Sequence, residues 1–133
     1  MSAPTVSQYA AVEALVNGDD DVIHMRDEYD RRRQLIVEGF NRLGLATFEP
    51  KGAFYCFPSV AETGMTDSEF CEALLREERV AVIPGSAFGE SGRGFIRASY
   101  TSSDENIEEA LRRMERFMER NQLGAFAPLT AAL

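Results

Sequence analysis

The sequence predicts an α+β fold of two layers, in which a short mixed sheet is covered by helices. Two observations predict this class. Apolar residues recur at helical spacing over residues 22–43, 67–78 and 107–118. Between these stretches lie short apolar runs that end at proline or glycine, as strands commonly do. Because a helix with one apolar stripe must bury it, we expect the helices to pack on the sheet.

The chain is predicted to begin with two helices. The first covers residues 5–16, where Thr5 and Gln8 have the spacing of a capping box. A polar, glycine-containing break follows, and a longer helix is predicted over residues 22–43. Its apolar stripe consists of Val22, Met25, Tyr29, Ile36, Phe40 and Leu43. Gly44 stands where a left-handed C-terminal cap is expected.

Four short strands follow from the apolar runs. They are predicted over residues 45–49, 53–57, 80–83 and 94–100. Pro50 ends the first strand, and the Pro-Gly pair at 84–85 ends the third, since proline cannot donate a ladder hydrogen bond. The strands therefore occur in two pairs, separated by a helix.

Two further helices have clear start signals. Thr66 and Glu69 form a second capping box in front of a helix over residues 67–78. The sequence Ser-Ser-Asp-Glu at residues 102–105 has the spacing of a capping box at the start of the last helix. The apolar stripe of that helix consists of Ile107, Ala110, Leu111, Met114, Phe117 and Met118. The segment 124–133 is a tail of small residues with no predicted element.

Composition excludes several classes of function. A net charge of −8 argues against nucleic-acid binding, which requires a basic surface. No apolar run approaches the twenty residues of a membrane span, and the first residues have no secretory leader pattern. Cys56 and Cys71 have no metal or redox spacing, so both are expected to be reduced and structural. A cytoplasmic location follows from these features.

Arg97 is the residue that stands out, because it interrupts an apolar strand. A guanidinium is seldom buried without a partner. Its planar fork suits a carboxylate held by two parallel hydrogen bonds. Two interpretations stay open from the residues alone: Arg97 binds a carboxylate ligand, or it forms an ion pair with an Asp or Glu of the core.

Other polar features carry weaker signals. The glycine-rich loop over residues 85–94 lacks a phosphate-loop pattern and leads into a strand, so we expect a border that moves when a site closes. The arginine run at 31–33 suggests an anion site, but an exposed helix face paired with nearby acids is the simpler interpretation. His24 is the sole histidine and is expected on a helix surface.

Two segments together resemble a known family. The first reads Pro-Lys-Gly-Ala-Phe-Tyr-Cys-Phe-Pro over residues 50–58, and the second runs from Pro-Gly-Ser-Ala-Phe-Gly at 84–89 to Ile-Arg-Ala-Ser at 96–99. This pair is similar to the C-terminal small domain of class I/II, fold-type-I aminotransferases, the pyridoxal-phosphate enzymes that include aspartate aminotransferase. The resemblance covers residues 6–118.

The resemblance implies roles for three residues. Arg97 would clamp the α-carboxylate of the amino-acid substrate. Gly52 and Tyr55 would lie near the substrate entrance. The alternative is that Gly52 serves a turn, while the ring of Phe54 or Tyr55 fills the core. No residue of this chain would be catalytic or bind a metal.

The resemblance also implies that the cofactor site lies outside this chain. The family binds pyridoxal phosphate through a lysine in a Ser-x-Ser-Lys motif of its large domain, and Lys51, the one lysine here, is not in such a motif. The chain is thus expected to be part of a longer enzyme, inactive alone and without bound cofactor. Residues 1–18 would be the remnant of an inter-domain helix, 19–121 the small domain and 122–133 a tail.

The expected partners and alternatives follow from the same resemblance. The full-length protein would transfer an amino group between an amino acid and a 2-oxo acid, pair with its own large domain and form a homodimer. One alternative is the small domain of another fold-type-I enzyme, a lyase or synthase. A second is a stand-alone module that binds amino acids as a regulatory sensor.

Overall fold

A computed structural model describes residues 2–123, and the predicted tail at 124–133 lies outside the described residues. The helices in chain order are α1 (Thr5–Asn17), α2 (Asp19–Arg42), α3 (Asp67–Glu78) and α4 (Asp104–Arg120). The strands are β1 (Tyr55–Cys56), β2 (Ile83–Pro84) and β3 (Ile96–Ser99). Short 3-10 helices cover Ala61–Thr63, Gly85–Phe88 and Glu90–Gly92. The chain divides into two compact units, one ending at Arg31 and the other beginning at Arg32.

The first unit contains α1 and the beginning of α2. Both predicted helices are confirmed, but the capping box at Thr5 is wrong. Thr5 is already the first helical residue, and Pro4 before it offers no side-chain cap. The side-chain amide of Gln8 instead donates a hydrogen bond to the carbonyl oxygen of Ala3 at 2.8 Å. Helix α2 begins three residues earlier than predicted, since its first turn carries three aspartates that the helix dipole stabilises.

The second unit contains a three-stranded sheet in the order β1-β3-β2. Both pairs are antiparallel, with Tyr55 opposite Ser99 and Ile83 opposite Arg97. The prediction of a mixed sheet is therefore wrong for the described residues. A mixed sheet needs a parallel pair, and here β1 and β2, which run in the same direction, lie at opposite edges and do not pair.

The strands are shorter than the sequence predicts. The strand expected at 45–49 is reduced to a single bridge between Thr47 and Pro58. Strand β1 begins only at Tyr55, because Ala53 adopts a left-handed conformation with a φ of 59°. Residues 80–82 line a cavity of about 340 Å³ instead of pairing with β3, so only the end of that predicted strand forms.

Helices α3 and α4 supply much of the core of this unit. The rings of Phe70 and Phe117 meet edge to face with their centroids 5.3 Å apart, and both side chains are fully buried. The predicted capping box of Thr66 and Glu69 is confirmed. The segment 102–105 supplies the cap of α4 through Ser103, one residue later than the predicted box begins, and the Ser103 side chain accepts a hydrogen bond from the backbone amide of Asn106.

The end of α2 also belongs to this core. Gly44 has the expected left-handed conformation, with a φ of 78°. Within the helix, Gly39 faces Leu111 of α4 so closely that a Cβ at residue 39 would overlap the leucine side chain. The two helices can therefore approach closely only where residue 39 has no side chain.

Cys56 in β1 and Cys71 in α3 are free thiols, and both are buried. Burial raises the pKa of the Cys56 thiol to about 12 and that of Cys71 to about 11. The structural role predicted for them agrees with these positions. No helix within residues 2–123 is both long and apolar enough to span a membrane.

Candidate carboxylate-binding site

Arg97 lies in β3, the central strand of the sheet. Its neighbours Ile96 and Ala98 are buried in the core. Because successive side chains of a strand point to opposite faces, Arg97 projects to the other face of the sheet, where it is half-buried. The arginine that seemed out of place in an apolar strand thus occupies the face opposite the core.

Two aromatic rings lie against the guanidinium group of Arg97. The Cζ atom is 4.3 Å from the ring centroid of Tyr55 and 4.3 Å from that of Phe88. Contacts of this length are within the range in which a cation is attracted to the face of an aromatic ring. The group therefore contacts two rings that come from different parts of the chain.

Strand pairing brings Tyr55 to Arg97. Tyr55 is opposite Ser99, two residues beyond Arg97 in β3, so the two side chains are diagonal neighbours on one face. The entry to β1 is fixed by Tyr100, whose backbone amide donates to the carbonyl oxygen of Phe54 at 3.1 Å and whose hydroxyl donates to that of Ala53 at 2.9 Å. These bonds hold β1 in register beside Arg97.

The glycine-rich loop brings Phe88 to Arg97. Gly85 donates a backbone hydrogen bond to Phe95 at 2.8 Å, which closes the loop at its base. Gly85 and Gly92 pack backbone to backbone, and a Cβ on either would collide with the other. Only glycine allows this approach, so the loop folds back and carries Phe88 over the sheet.

Asp67 fixes the start of this loop to α3. Its side-chain oxygen accepts a hydrogen bond from the backbone amide of Ser86 at 2.8 Å. Hydrogen bonds from Ser86 hold the pKa of the Asp67 carboxyl below its usual value. Since Asp67 is buried, this bond is shielded from water and ties the base of the loop firmly to the helix.

Further aromatic side chains surround the stack. The rings of Phe57 and Phe88 meet edge to face with centroids 5.9 Å apart, and those of Phe54 and Tyr55 lie 4.8 Å apart. Phe54 and Phe57 are each more than a third exposed. The predicted alternative, in which Phe54 or Tyr55 fills the core, is therefore wrong, because the strand turns Cys56 inward instead.

Arg97 has no acidic partner in the part of the chain that the structure describes. No ion pair or hydrogen bond joins it to an Asp or Glu of residues 2–123. The alternative of a core ion pair thus finds no support among these residues. The N–H groups of a guanidinium lie along the edge of its plane. That edge is the part of the group that binds a carboxylate.

Gly52 and Lys51 lie in the exposed segment before β1. A Cβ at Gly52 would contact nothing within 4 Å, so the fold does not require glycine there for space. Its φ is also outside the left-handed region, which Ala53 occupies instead. Substrate contact by Gly52 stays a prediction. Lys51 is exposed and does not line the cavity described above.

The remaining candidates have structural roles. Arg31 pairs with Glu28 within its helix, as predicted, but Arg33 reaches Glu49 at 2.7 Å and Arg32 reaches Asp104 at 3.3 Å. The arginine run therefore also ties α2 to other segments. His24 is exposed on α2. Within the described residues, no group of three His, Cys, Asp or Glu side chains is placed to hold a metal ion.

Sequence reasoning missed Phe88 and Asp67. Phe88 stands in the Pro-Gly-Ser-Ala-Phe-Gly segment, where a large apolar residue between glycines was a signal that something fixes the loop. The sequence predicts Asp67 only as a residue of the first turn of α3. Nothing in its spacing indicates the hydrogen bond from the backbone of Ser86, nineteen positions away.

Comparisons with known proteins agree on one family. The model of the family described as "Aminotransferase class I and II" matches residues 1–114. The chain is 52% identical over 120 residues to the putative aminotransferase YugH of Bacillus subtilis and 49% identical over 121 residues to an aspartate aminotransferase of Pyrococcus abyssi. Each match covers 90% of this chain and 31% of the relative.

Solved structures give the same result. An aromatic aminotransferase from Pyrococcus horikoshii matches with a TM-score of 0.85 and 50% identity, over 88% of this chain and 32% of that one. Thermus thermophilus aspartate aminotransferase with maleate matches with a TM-score of 0.78 and 38% identity, over 87% and 30%. The chain thus spans about a third of the length of the proteins it matches. It belongs to the class I and II aminotransferase family.

Proposed function

We propose that this chain is the C-terminal small domain of a pyridoxal-phosphate aminotransferase and that Arg97 binds the α-carboxylate of its substrates. One observation carries the proposal. The guanidinium of Arg97 contacts the rings of Tyr55 and Phe88, while no acidic side chain of the described residues pairs with it. A fixed cation without an internal partner is suited to an anionic ligand.

The geometry explains what such a clamp would do. A carboxylate bound by two parallel hydrogen bonds has a fixed position and a fixed plane. For an amino acid or a 2-oxo acid, this orients the adjacent carbon, where the amino group is exchanged. Holding a substrate in one orientation removes much of the entropy cost of reaction. The same clamp serves both substrates, since both carry a carboxylate next to the reacting carbon.

The residues of this chain do not fit pyridoxal phosphate. The cofactor supplies the electron sink for amino-group transfer and requires a lysine in a shielded pocket. Lys51, the one lysine of the sequence, is exposed and does not line the cavity of about 340 Å³. We therefore expect the cofactor to be held by residues outside this chain, in a large domain, and the chain alone to be inactive. The whole enzyme would act as a homodimer.

The substitution Arg97→Ala tests the clamp in the complete enzyme that carries this chain. We expect kcat/KM for amino-acid donors to fall, because the buried carboxylate of the substrate loses its charged partner. The decrease should correspond to a loss of about 2–5 kcal/mol in transition-state stabilisation. Arg97→Lys should restore only part of the loss, since an ammonium group cannot reproduce the planar fork.

The absorption spectrum of the bound cofactor is the control for this experiment. It should be the same in the wild type and both variants, because Arg97 is proposed to contact the substrate alone. If Arg97→Ala keeps wild-type kcat/KM, then Arg97 is structural and the proposal fails.

Two alternatives make different predictions. A lyase or synthase of the same fold type would show the same Arg97 dependence but would not transfer the amino group to an added 2-oxo acid. A stand-alone sensor would bind an amino acid with saturation in isothermal titration of the 133-residue chain. We expect no such binding, because the described residues supply only one wall of a site.

A further inference from the structure

Phe88 is the residue that connects the glycine-rich loop to Arg97. Its ring centroid is 4.3 Å from the guanidinium carbon, the same distance as that of Tyr55. Unlike Tyr55, it does not come from the sheet. Its position depends on the loop, so the loop determines whether the guanidinium has a second ring in contact with it.

The loop is fixed at several points around Phe88. Its base is closed by the bond from Gly85 to Phe95, and its first turn is anchored by the bond from Ser86 to Asp67. Gly89, directly after Phe88, has a φ of 117°, which a residue with a side chain rarely adopts. The bend at Gly89 follows the short helix Gly85–Phe88, and the edge contact with Phe57 steadies the ring from the side.

A guanidinium that contacts one ring alone can rotate about its side-chain torsions, whereas contact with a second ring restricts that rotation. Arginine has high rotamer entropy, and a ligand that must order it loses affinity. A stack formed before the ligand arrives removes that cost.

We propose that Phe88 is a positioning residue, which fixes the plane of the Arg97 guanidinium so that its edge is presented to a substrate carboxylate. This inference rests on the proposed function of Arg97. Asp67 supports it from a distance, because it anchors the loop that carries Phe88. Neither residue is placed in contact with the substrate.

The first test measures the stack in the 133-residue chain by NMR. Nuclei above an aromatic ring are shielded, so the Arg97 Nε–H resonance, assigned from its loss in Arg97→Lys, should lie upfield of the other arginines. Phe88→Leu should move it downfield, and Phe88→Tyr should leave it in place. Tyr55→Leu should also move it downfield, which shows that the probe responds. Phe48→Leu, at an 83% exposed phenylalanine that does not contact Arg97, is the matched control.

The second test uses the complete enzyme that carries this chain, with L-aspartate and L-tyrosine as donors and 2-oxoglutarate as acceptor. We expect Phe88→Leu to raise KM for both donors about three- to tenfold, as for the loss of one cation–π contact. Phe88→Tyr should restore the wild-type KM. The cofactor spectrum should not change.

The outcomes separate this inference from the proposed function. If Arg97→Ala weakens the donors but Phe88→Leu changes neither KM nor the Arg97 resonance, Phe88 has no positioning role and the clamp stands. If Phe88→Leu moves the resonance but leaves KM unchanged, the stack forms without affecting binding, and the inference is again overturned. If Arg97→Ala itself has no effect on the donors, the proposed function fails.

Discussion

Helices α1 and α4 are both rich in apolar residues, but only α4 buries them. Five residues of α4 are buried, and they form one stripe: Ile107, Leu111, Met114, Phe117 and Met118. Helix α1 has no buried residue, and its large side chains are 60% or more exposed. The apolar residues of α1 are also spread around the helix, whereas the opposite side of α4 carries charges.

The difference shows what each pattern requires. A one-sided stripe can be buried against neighbours on one side, and α3 and the end of α2 contact the stripe of α4 through Phe70 and Gly39. A helix that is apolar on all sides needs cover from several directions. Under the proposed function, that cover for α1 would come from a large domain. Helix α4 buries its apolar stripe, whereas the apolar residues of α1 are exposed.

Thiol reactivity should give the largest contrast between the two regions. Cys56 and Cys71 are buried with raised pKa values, so few thiolates form at pH 8 and access requires opening of the core. A cysteine placed in α1 by Val12→Cys should react with a disulfide reagent at once. The native thiols should react slower by a factor on the order of 10³ or more, set by the opening equilibrium. Equal rates would contradict the burial.

Truncating one large side chain in each helix is the next test. Phe117→Ala removes a fully buried ring of α4 and should lower the free energy of unfolding by about 3–5 kcal/mol. Leu15→Ala in α1 should change it by less than about 0.5 kcal/mol, since Leu15 is 85% exposed. Urea denaturation of the 133-residue chain measures both. A comparable loss in Leu15→Ala would mean that α1 is packed in solution.

Substitutions at the N-termini of α4 and α1 should give a smaller difference in stability than the core and surface truncations. Ser103→Ala removes the side-chain cap of α4 and should cost about 1 kcal/mol of stability. Thr5→Ala should cost much less, because Thr5 caps nothing. The same denaturation experiment compares the two. If Thr5→Ala were as costly as Ser103→Ala, the capping box predicted from the sequence would form after all.

Acid should weaken the unit that contains α4, and this is the smallest of the expected effects. The pKa of Glu109 is lowered, first by its hydrogen bond from Arg113. Because this pKa is lower in the folded state, the ionised carboxyl stabilises the fold fully above its ordinary pKa, and the stabilisation is lost as the pH falls from that value through the lowered one. Glu109→Gln and Arg113→Ala should therefore both flatten the decline in stability between about pH 5 and pH 3. An unchanged slope would contradict the pairing.

Much of the fold was predictable because its signals are local. The bounds of α3 agree with the prediction, since a capping box and a stripe both lie within the helix. The strands were predicted too long, because a strand exists only where a neighbour pairs with it. Residues 80–82 have the composition of a strand but line a cavity. Which pairs form depends on parts of the chain far apart in sequence.

The candidate site likewise contains one residue with a local signal and contacts that depend on distant parts of the chain. Arg97 was found because a charge in an apolar strand is visible in one short segment. Its contact with Tyr55 depends on strand register, and its contact with Phe88 depends on the loop folding back through Gly85 and Gly92. Neither could be read from spacing, because both are set by backbone hydrogen bonds between distant residues.

The close approach of Gly39 to Leu111 links two positions that are 72 residues apart. A substitution at one of these positions changes the size of side chain that fits at the other, so the two positions cannot vary independently. Gly39→Ala alone should be harmful, while Gly39→Ala combined with Leu111→Ala should recover part of the loss, because the smaller side chain gives the new methyl group room. Among related sequences, larger residues at the first position should accompany smaller ones at the second. The crossing of the two helices thus leaves a signature that can be read from sequences alone.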